Sequence, residues 1–292
     1  MKGIAPSLMH TLARLRIEAG GAVAAHGVGE RRSRARGEGI EFEDHRPYAQ
    51  GDDMRRVDPH LFARLGKPYI RQFNVSQRLD VTIVVDASAS MGLGNPAKLE
   101  AARSIALSLA YVALSGLDVV NVGVWQGHML TWHRGLSGAR QLEATADWLH
   151  RFEAAGSTDG DTLKSRLVPF TRANGLLILI SDLWMEDAET HLRSIIGRWG
   201  SAIVLHVLAP EERDPTHLGT APLRLVDSET GDEVEVVIGE AEAAQFRRLL
   251  TEHIESLRTG IVKAGDRYVL VDSSVDVAVL LTNTFRQAGI FR

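Results

Sequence analysis

The chain has no cysteine. Disulfides, zinc-thiolate centres and thiol nucleophiles are therefore excluded. No apolar stretch approaches the roughly 18 residues of a membrane span. The N-terminus lacks the continuous apolar core and small-residue cleavage site of a signal peptide. An excess of positive charge is also missing, since the net charge is −4 over 292 residues, unlike a strongly basic nucleic-acid binder. Several enzyme signatures are absent too: His-Glu-x-x-His, the Gly-x-Ser-x-Gly elbow, and the phosphate loop Gly-x-x-x-x-Gly-Lys-Ser/Thr. What is present is ordinary globular composition, 45% hydrophobic and 24% charged. A soluble, cytoplasmic protein is expected.

The segment up to about residue 25 has weak helical periodicity through Leu8, Leu12 and Leu15. Residues 27–39 are glycine-bounded and basic, with Arg31, Arg32, Arg34 and Arg36, and read as a mobile arm. Residues 41–73 mix charges with Phe42, Tyr48, Phe62, Tyr69 and Phe73. They are expected to form an irregular layer with short strands. Asp52, Asp53, Arg55, Arg56 and Asp58 would form a buried salt-bridge network that fastens this layer to the sheet. Residues 1–78 are thus assigned to an N-terminal layer and 79–292 to the main domain.

From residue 79 strands and helices alternate. Strands are expected at 80–86, 118–126, 129–134, 175–181, 202–208 and 267–272, and helices at 98–114, 139–152, 161–171, 188–199, 240–259 and 275–287. Residues 223–238 read as a β-hairpin insertion around Gly231. The alternation argues for an α/β fold with a doubly wound, mostly parallel sheet.

Ligand sites in such sheets lie outside the carboxyl ends of the strands. Asp86-Ala87-Ser88-Ala89-Ser90 follows directly on the apolar run Val81-Thr82-Ile83-Val84-Val85. Gly156-Ser157-Thr158-Asp159 precedes a helix, and Ser181-Asp182 closes another apolar strand. If the three loops converge, Asp86, Ser88, Ser90, Thr158 and Asp182 offer hard oxygen ligands suited to Mg2+, with Mn2+ or Ca2+ as substitutes. The competing reading is local, because Ser, Thr and Asp at such turns also serve as helix N-caps. Trp184 and Asp159 are candidates for the rim that meets a partner.

Asp86-x-Ser88-x-Ser90, Thr158 and Asp182 resemble the metal-ion-dependent adhesion site of von Willebrand factor A-type domains. Gly37-Glu38-Gly39, Arg46-Pro47-Tyr48, Gly51-Asp52-Asp53-Met54-Arg55 and Ala63-Arg64 are similar to the bacterial domain-of-unknown-function-58 family. This resemblance covers the chain from about residue 29 onward. It departs from the family pattern at Asp58-Pro59, where an Asp-Trp pair is usual, and at Gly156-Ser157, where two glycines are usual. It implies serine and threonine hydroxyls on the metal, a partner's acidic side chain completing the shell, and a MoxR-type AAA+ ATPase as partner. The resulting expectation is a non-enzymatic, metal-dependent interaction module. The alternative is a magnesium-dependent phosphoryl-transfer or hydrolytic enzyme with Asp86 as nucleophile.

Overall fold

The computed structural model describes residues 6–18, 40–75, 78–172, 175–218, 222–228 and 231–291. The basic arm at 27–39 lies outside the described residues. The chain forms two compact units, one of residues 30–78 and one of residues 1–29 with 79–292. The N-terminal stretch is thus divided differently from the 1–78 layer. The helix Pro6–Leu12 belongs to the larger unit, where Leu12 is fully buried and Ile17 bridges Phe291. Its leucines cover apolar surface of the α/β domain that would otherwise face water.

In the smaller unit, β1 (Ile40–Pro47) and β2 (Tyr69–Val75) pair antiparallel. The helix Pro59–Leu65 between them is capped by Asp58, which accepts from the His60 and Leu61 amides (2.8 and 3.2 Å). Two members of the expected network, Asp52 and Asp58, pair with Arg46 and His45, which lie outside the expected group. Asp52 takes both guanidinium nitrogens of Arg46 at 2.6 Å, and Asp58 pairs with His45 at 2.9 Å. The Arg46 hydrogen bond and the Ala49 amide hold the Asp52 carboxyl down at about 2.

The larger unit is built on a six-stranded sheet. Its strands are β3 (Asp80–Asp86), β4 (Val119–Gln126), β5 (Met129–Leu136), β6 (Gly175–Ser181), β7 (Ser201–Leu208) and, after the small β8 (Leu223–Val226) and β9 (Glu233–Val236) hairpin, β10 (Arg267–Asp272). The order is β10-β7-β6-β3-β4-β5. All neighbours are parallel except β5, which returns antiparallel from β4 at Gly127. This is the doubly wound, mostly parallel α/β sheet expected.

Alternate side chains along each strand go to opposite faces. Ile83, Val85, Ile178, Ile180, Leu205 and Val207 face the helices Lys98–Ser115 and Leu142–Leu149. Val84, Leu177, Leu179 and Val204 face the helices Gly160–Leu167, Ala188–Ile196 and Glu240–Lys263. Because both faces are covered, β6 and β7 are apolar at nearly every position rather than alternating. The C-terminal helical segment begins as Val277–Val279 and carries a π-helical stretch, Leu280–Thr284, before Phe285–Gln287. No helix of the described residues is long and apolar enough to cross a membrane.

The chain leaves β3 toward β4 on one side and later enters β6 on β3's other side. The carboxyl ends of β3 and β6 therefore mark a topological switch point, where open α/β sheets form their ligand crevices.

Candidate functional site

Asp86 is the last residue of β3 and Ser181 the last of β6, so the two strand ends lie side by side. Asp86 is 2% exposed. Its Oδ1 accepts from the Ser88 amide (2.8 Å) and its Oδ2 from the Ser181 hydroxyl (2.6 Å). The Ser181 hydroxyl oxygen in turn accepts from the Leu183 amide (3.0 Å). Leu183 is buried and left-handed, with φ of 57°. A bulky side chain in that region is strained, so the turn after β6 is held by its surroundings rather than by local preference.

Ser88 opens the short 3-10 turn Ala89–Gly92 but makes no side-chain cap. Its hydroxyl instead meets that of Ser90, Oγ to Oγ 3.0 Å, with both serines buried. The local capping reading thus fails for Ser88. It holds for Asp159, which caps the helix Gly160–Leu167 by accepting from the Thr162 amide (2.7 Å), with the exposed His128 3.2 Å from its other oxygen.

The 155–159 loop is stitched to the β3 exit by backbone bonds. The Ala155 amide donates to the Ala87 carbonyl (3.0 Å), and the Ala89 amide donates to the Gly156 carbonyl (2.8 Å). Gly156 has φ of 73°, a conformation glycine takes without strain. Thr158, half-buried, follows two residues later. The fold therefore brings Asp86, Ser88, Ser90, Ser181 and Asp182 together and joins the Thr158 loop to the same edge.

Sequence reasoning missed two members of the site. Lys98, fully buried at the start of the Lys98–Ser115 helix, places Nζ 2.6 Å from Asp182 Oδ2 and 2.5 Å from Glu212 Oε1. Glu212 belongs to the short helix Pro210–Arg213 after β7, and its Oε2 accepts from the Ala209 amide (2.8 Å). A signal existed for Lys98, because a cation in a first helical turn opposes the helix dipole and calls for a compensating partner. Trp184, 40% exposed, donates its indole N–H to Glu212 (3.2 Å) and stacks on His253 at 5.3 Å.

Burial, and after it the charge of Asp182, push the Asp86 carboxyl well above the usual carboxylate range, against the pull of its Ser181 and Ser88 hydrogen bonds. Asp86, Asp182 and Glu212 bring three carboxyl groups to the site against the single amine of Lys98. The site has the donor chemistry and the unbalanced charge that suit a divalent cation, and its oxygens fit magnesium better than a soft metal. Among the described residues no group of three or more His, Cys, Asp or Glu side chains is placed to hold a metal ion, so a metal here would depend on the serine and threonine hydroxyls. A cleft of about 340 Å³ at the hairpin insertion, lined by Leu225, Val236, Ile238 and Phe246, shares no residue with this site.

His206, on β7 behind Asp182, lies 2.6 Å from the Tyr268 hydroxyl. Burial, with the neighbouring His253, depresses its pKa to about 3. The unfolded chain takes up this proton near pH 6.5 while the folded protein does not, so folding stability is lost as pH falls from 6.5 toward 3. Urea denaturation at pH 7 and pH 5 is expected to show a His206-dependent loss of about 2 kcal/mol. His206→Gln should flatten that slope, and an unchanged slope would remove His206 as its cause.

Fold and site together define an α/β domain with a hydroxyl–carboxylate oxygen site at a topological switch point. The chain belongs to the family described as Protein of unknown function DUF58, whose match spans residues 44–256. Among curated proteins it is 26% identical over 227 residues to the uncharacterized protein Rv1480 of Mycobacterium tuberculosis and, to the same extent, to the uncharacterized protein Mb1516 of Mycobacterium bovis. The alignment covers 74% of this chain and 69% of each relative. Solved structures similar to it include the conserved hypothetical protein BatB from Bacteroides thetaiotaomicron (TM-score 0.42, 16% identity, 72% of this chain and 98% of that one). Another is the SpRpn10 VWA domain (TM-score 0.42, 13% identity, 71% of this chain and 95% of that one).

Proposed function

We propose that this protein is a metal-dependent interaction module, holding Mg2+ at Asp86, Ser88, Ser90 and Thr158, with Asp182 as the second carboxylate of the site. The bound ion supplies an electrophilic position for a partner's Asp or Glu side chain. The observation that carries this reading is the Ser88–Ser90 pair. Both hydroxyls are buried beside a buried carboxylate, and neither is used as a helix cap. Trp184 and Asp159, both at this edge, form the rim that meets the partner. A MoxR-type AAA+ ATPase is the partner we assign, with the protein acting in the cytoplasm as an adaptor in assembly or maturation.

The phosphoryl-transfer alternative is weakened by the state of Asp86. Both of its oxygens already accept hydrogen bonds and the residue is 2% exposed, which leaves it a poor nucleophile. Lys98 does bring an amine to the site, but its nitrogen is engaged by the carboxylates of Asp182 and Glu212 and is not free to act as a base.

The test is capture of the ATPase by the immobilised full chain, in magnesium and in chelator. Chelation or Asp86→Ala is expected to weaken capture by about tenfold or more, the loss of roughly 1.4 kcal/mol or more of coordination. Capture indifferent to both treatments would contradict the reading.

A further inference from the structure

We propose that Lys98 is a built-in counter-cation of the oxygen site, which holds Asp182 and Glu212 and keeps Asp182 out of the metal's direct coordination. The proposal rests on the metal reading above. Lys98 is fully buried, and both carboxylates contact its ammonium at 2.5–2.6 Å. A buried ammonium in a first helical turn is doubly unfavourable, through desolvation and through the helix dipole. Only the two carboxylates offset those costs. They come from different strand ends, Asp182 after β6 and Glu212 after β7, so one side chain ties three segments of the sheet edge together.

Charge arithmetic gives the tie a role beyond stability. With all three carboxylates ionised, as a bound cation would make them, Lys98 neutralises one and leaves −2, which one divalent ion balances. Asp182 Oδ2 is occupied by Lys98, while among the described residues no cation contacts Asp86, Ser88 or Ser90. An ion held directly by one carboxylate and three hydroxyls keeps net positive charge of its own. It therefore binds modestly and stays attractive to an incoming carboxylate, since ligand charge count sets affinity at such sites. Lys98 thereby acts as a positioning residue that trades metal affinity for partner affinity.

The experiment is Mn2+ titration of the full chain, read from the electron paramagnetic resonance signal of the free ion. Asp182→Asn is expected to leave Mn2+ affinity within about threefold of wild type, because that carboxylate is withheld from the ion. Lys98→Met is expected to bind Mn2+ about tenfold or more tightly, because Asp182 is released to join the ion. A purely structural lysine would lower thermal stability and leave Mn2+ affinity unmoved. The proposal is overturned if Asp182→Asn weakens Mn2+ by tenfold or more, or if folded Lys98→Met binds it as wild type does. Should Lys98→Met fail to fold, Asp182→Asn decides alone. Absence of saturable Mn2+ binding by wild type would overturn the metal reading beneath it, an outcome distinct from both of these.

Discussion

Asp86→Asn is expected to melt higher than wild type in chelator at pH 8, and to lose its response to magnesium. Asp86 is a buried carboxylate next to a second one, and its carboxyl group is pushed up by burial first and by Asp182 second. Asparagine keeps the shape and removes the charge. Its carbonyl can accept from the Ser88 amide, and its amide can donate to the Ser181 oxygen, replacing the two bonds Asp86 makes. Relief of an uncompensated buried charge should stabilise the metal-free protein by about 2 kcal/mol, or roughly 5 °C. The sign with pH follows from proton counting. Between the ordinary carboxylate range and its raised value, Asp86 holds a proton in the folded state and not in the unfolded one. Wild-type stability in chelator therefore falls as pH rises through that window, and Asp86→Asn should lack this component. Functional sites commonly carry such a stability cost. Scanning calorimetry at pH 5 and pH 8, with chelator or magnesium, reads all of this. A variant melting several degrees below wild type at pH 8 in chelator would mean that the carboxylate serves structure alone.

Lys98→Met is expected to cause a large loss of stability. Removing one member of a buried charge pair costs about 3–5 kcal/mol, because the remaining charge is left buried and unpaired. Here two carboxylates, Asp182 and Glu212, lose their shared partner. The melting temperature in chelator is expected to fall by on the order of 10 °C. Magnesium should return part of that loss, since an ion binding only the folded state at a hundred times its dissociation constant contributes about 2.7 kcal/mol. A variant melting within about 2 °C of wild type would show that the ammonium is not a buried, paired charge.

Much of this architecture was legible in the chain. The strands Asp80–Asp86, Gly175–Ser181 and Arg267–Asp272 fall where apolar runs are closed by Asp, Gly or Ser. A strand covered on both faces is apolar at nearly every inner position, which sharpens its ends. Helix ends were less legible. The helix read at 139–152 is a 3-10 turn, Ala139–Gln141, followed by Leu142–Leu149, because terminal turns tighten without a change in apolar pattern. The helix before residue 30 was assigned to the wrong unit, since periodicity shows that Leu12 is buried but not against what.

At the site, Asp86, Ser88 and Ser90 are readable because they share one loop. Thr158 and Asp182 are readable because each follows a recognisable element. Glu212 is not, and for Lys98 only its place in a first helical turn calls for a partner without naming it, because the contacts span 84 and 114 residues. Ser181 was read as the end of a strand and not as the donor to Asp86, a role that depends on β3 and β6 being neighbours. Trp184 is legible as a rim candidate, while its stacking on His253 and its N–H bond to Glu212 depend on distant parts of the chain.

The measurement that bears most directly on the oxygen site is an anomalous difference map from a crystal soaked in manganese. One peak is expected, about 2.2 Å from the hydroxyls of Ser88 and Ser90 and beside Asp86. A map with no peak there at millimolar manganese, while Ser88 and Ser90 stay bonded to each other, would contradict it.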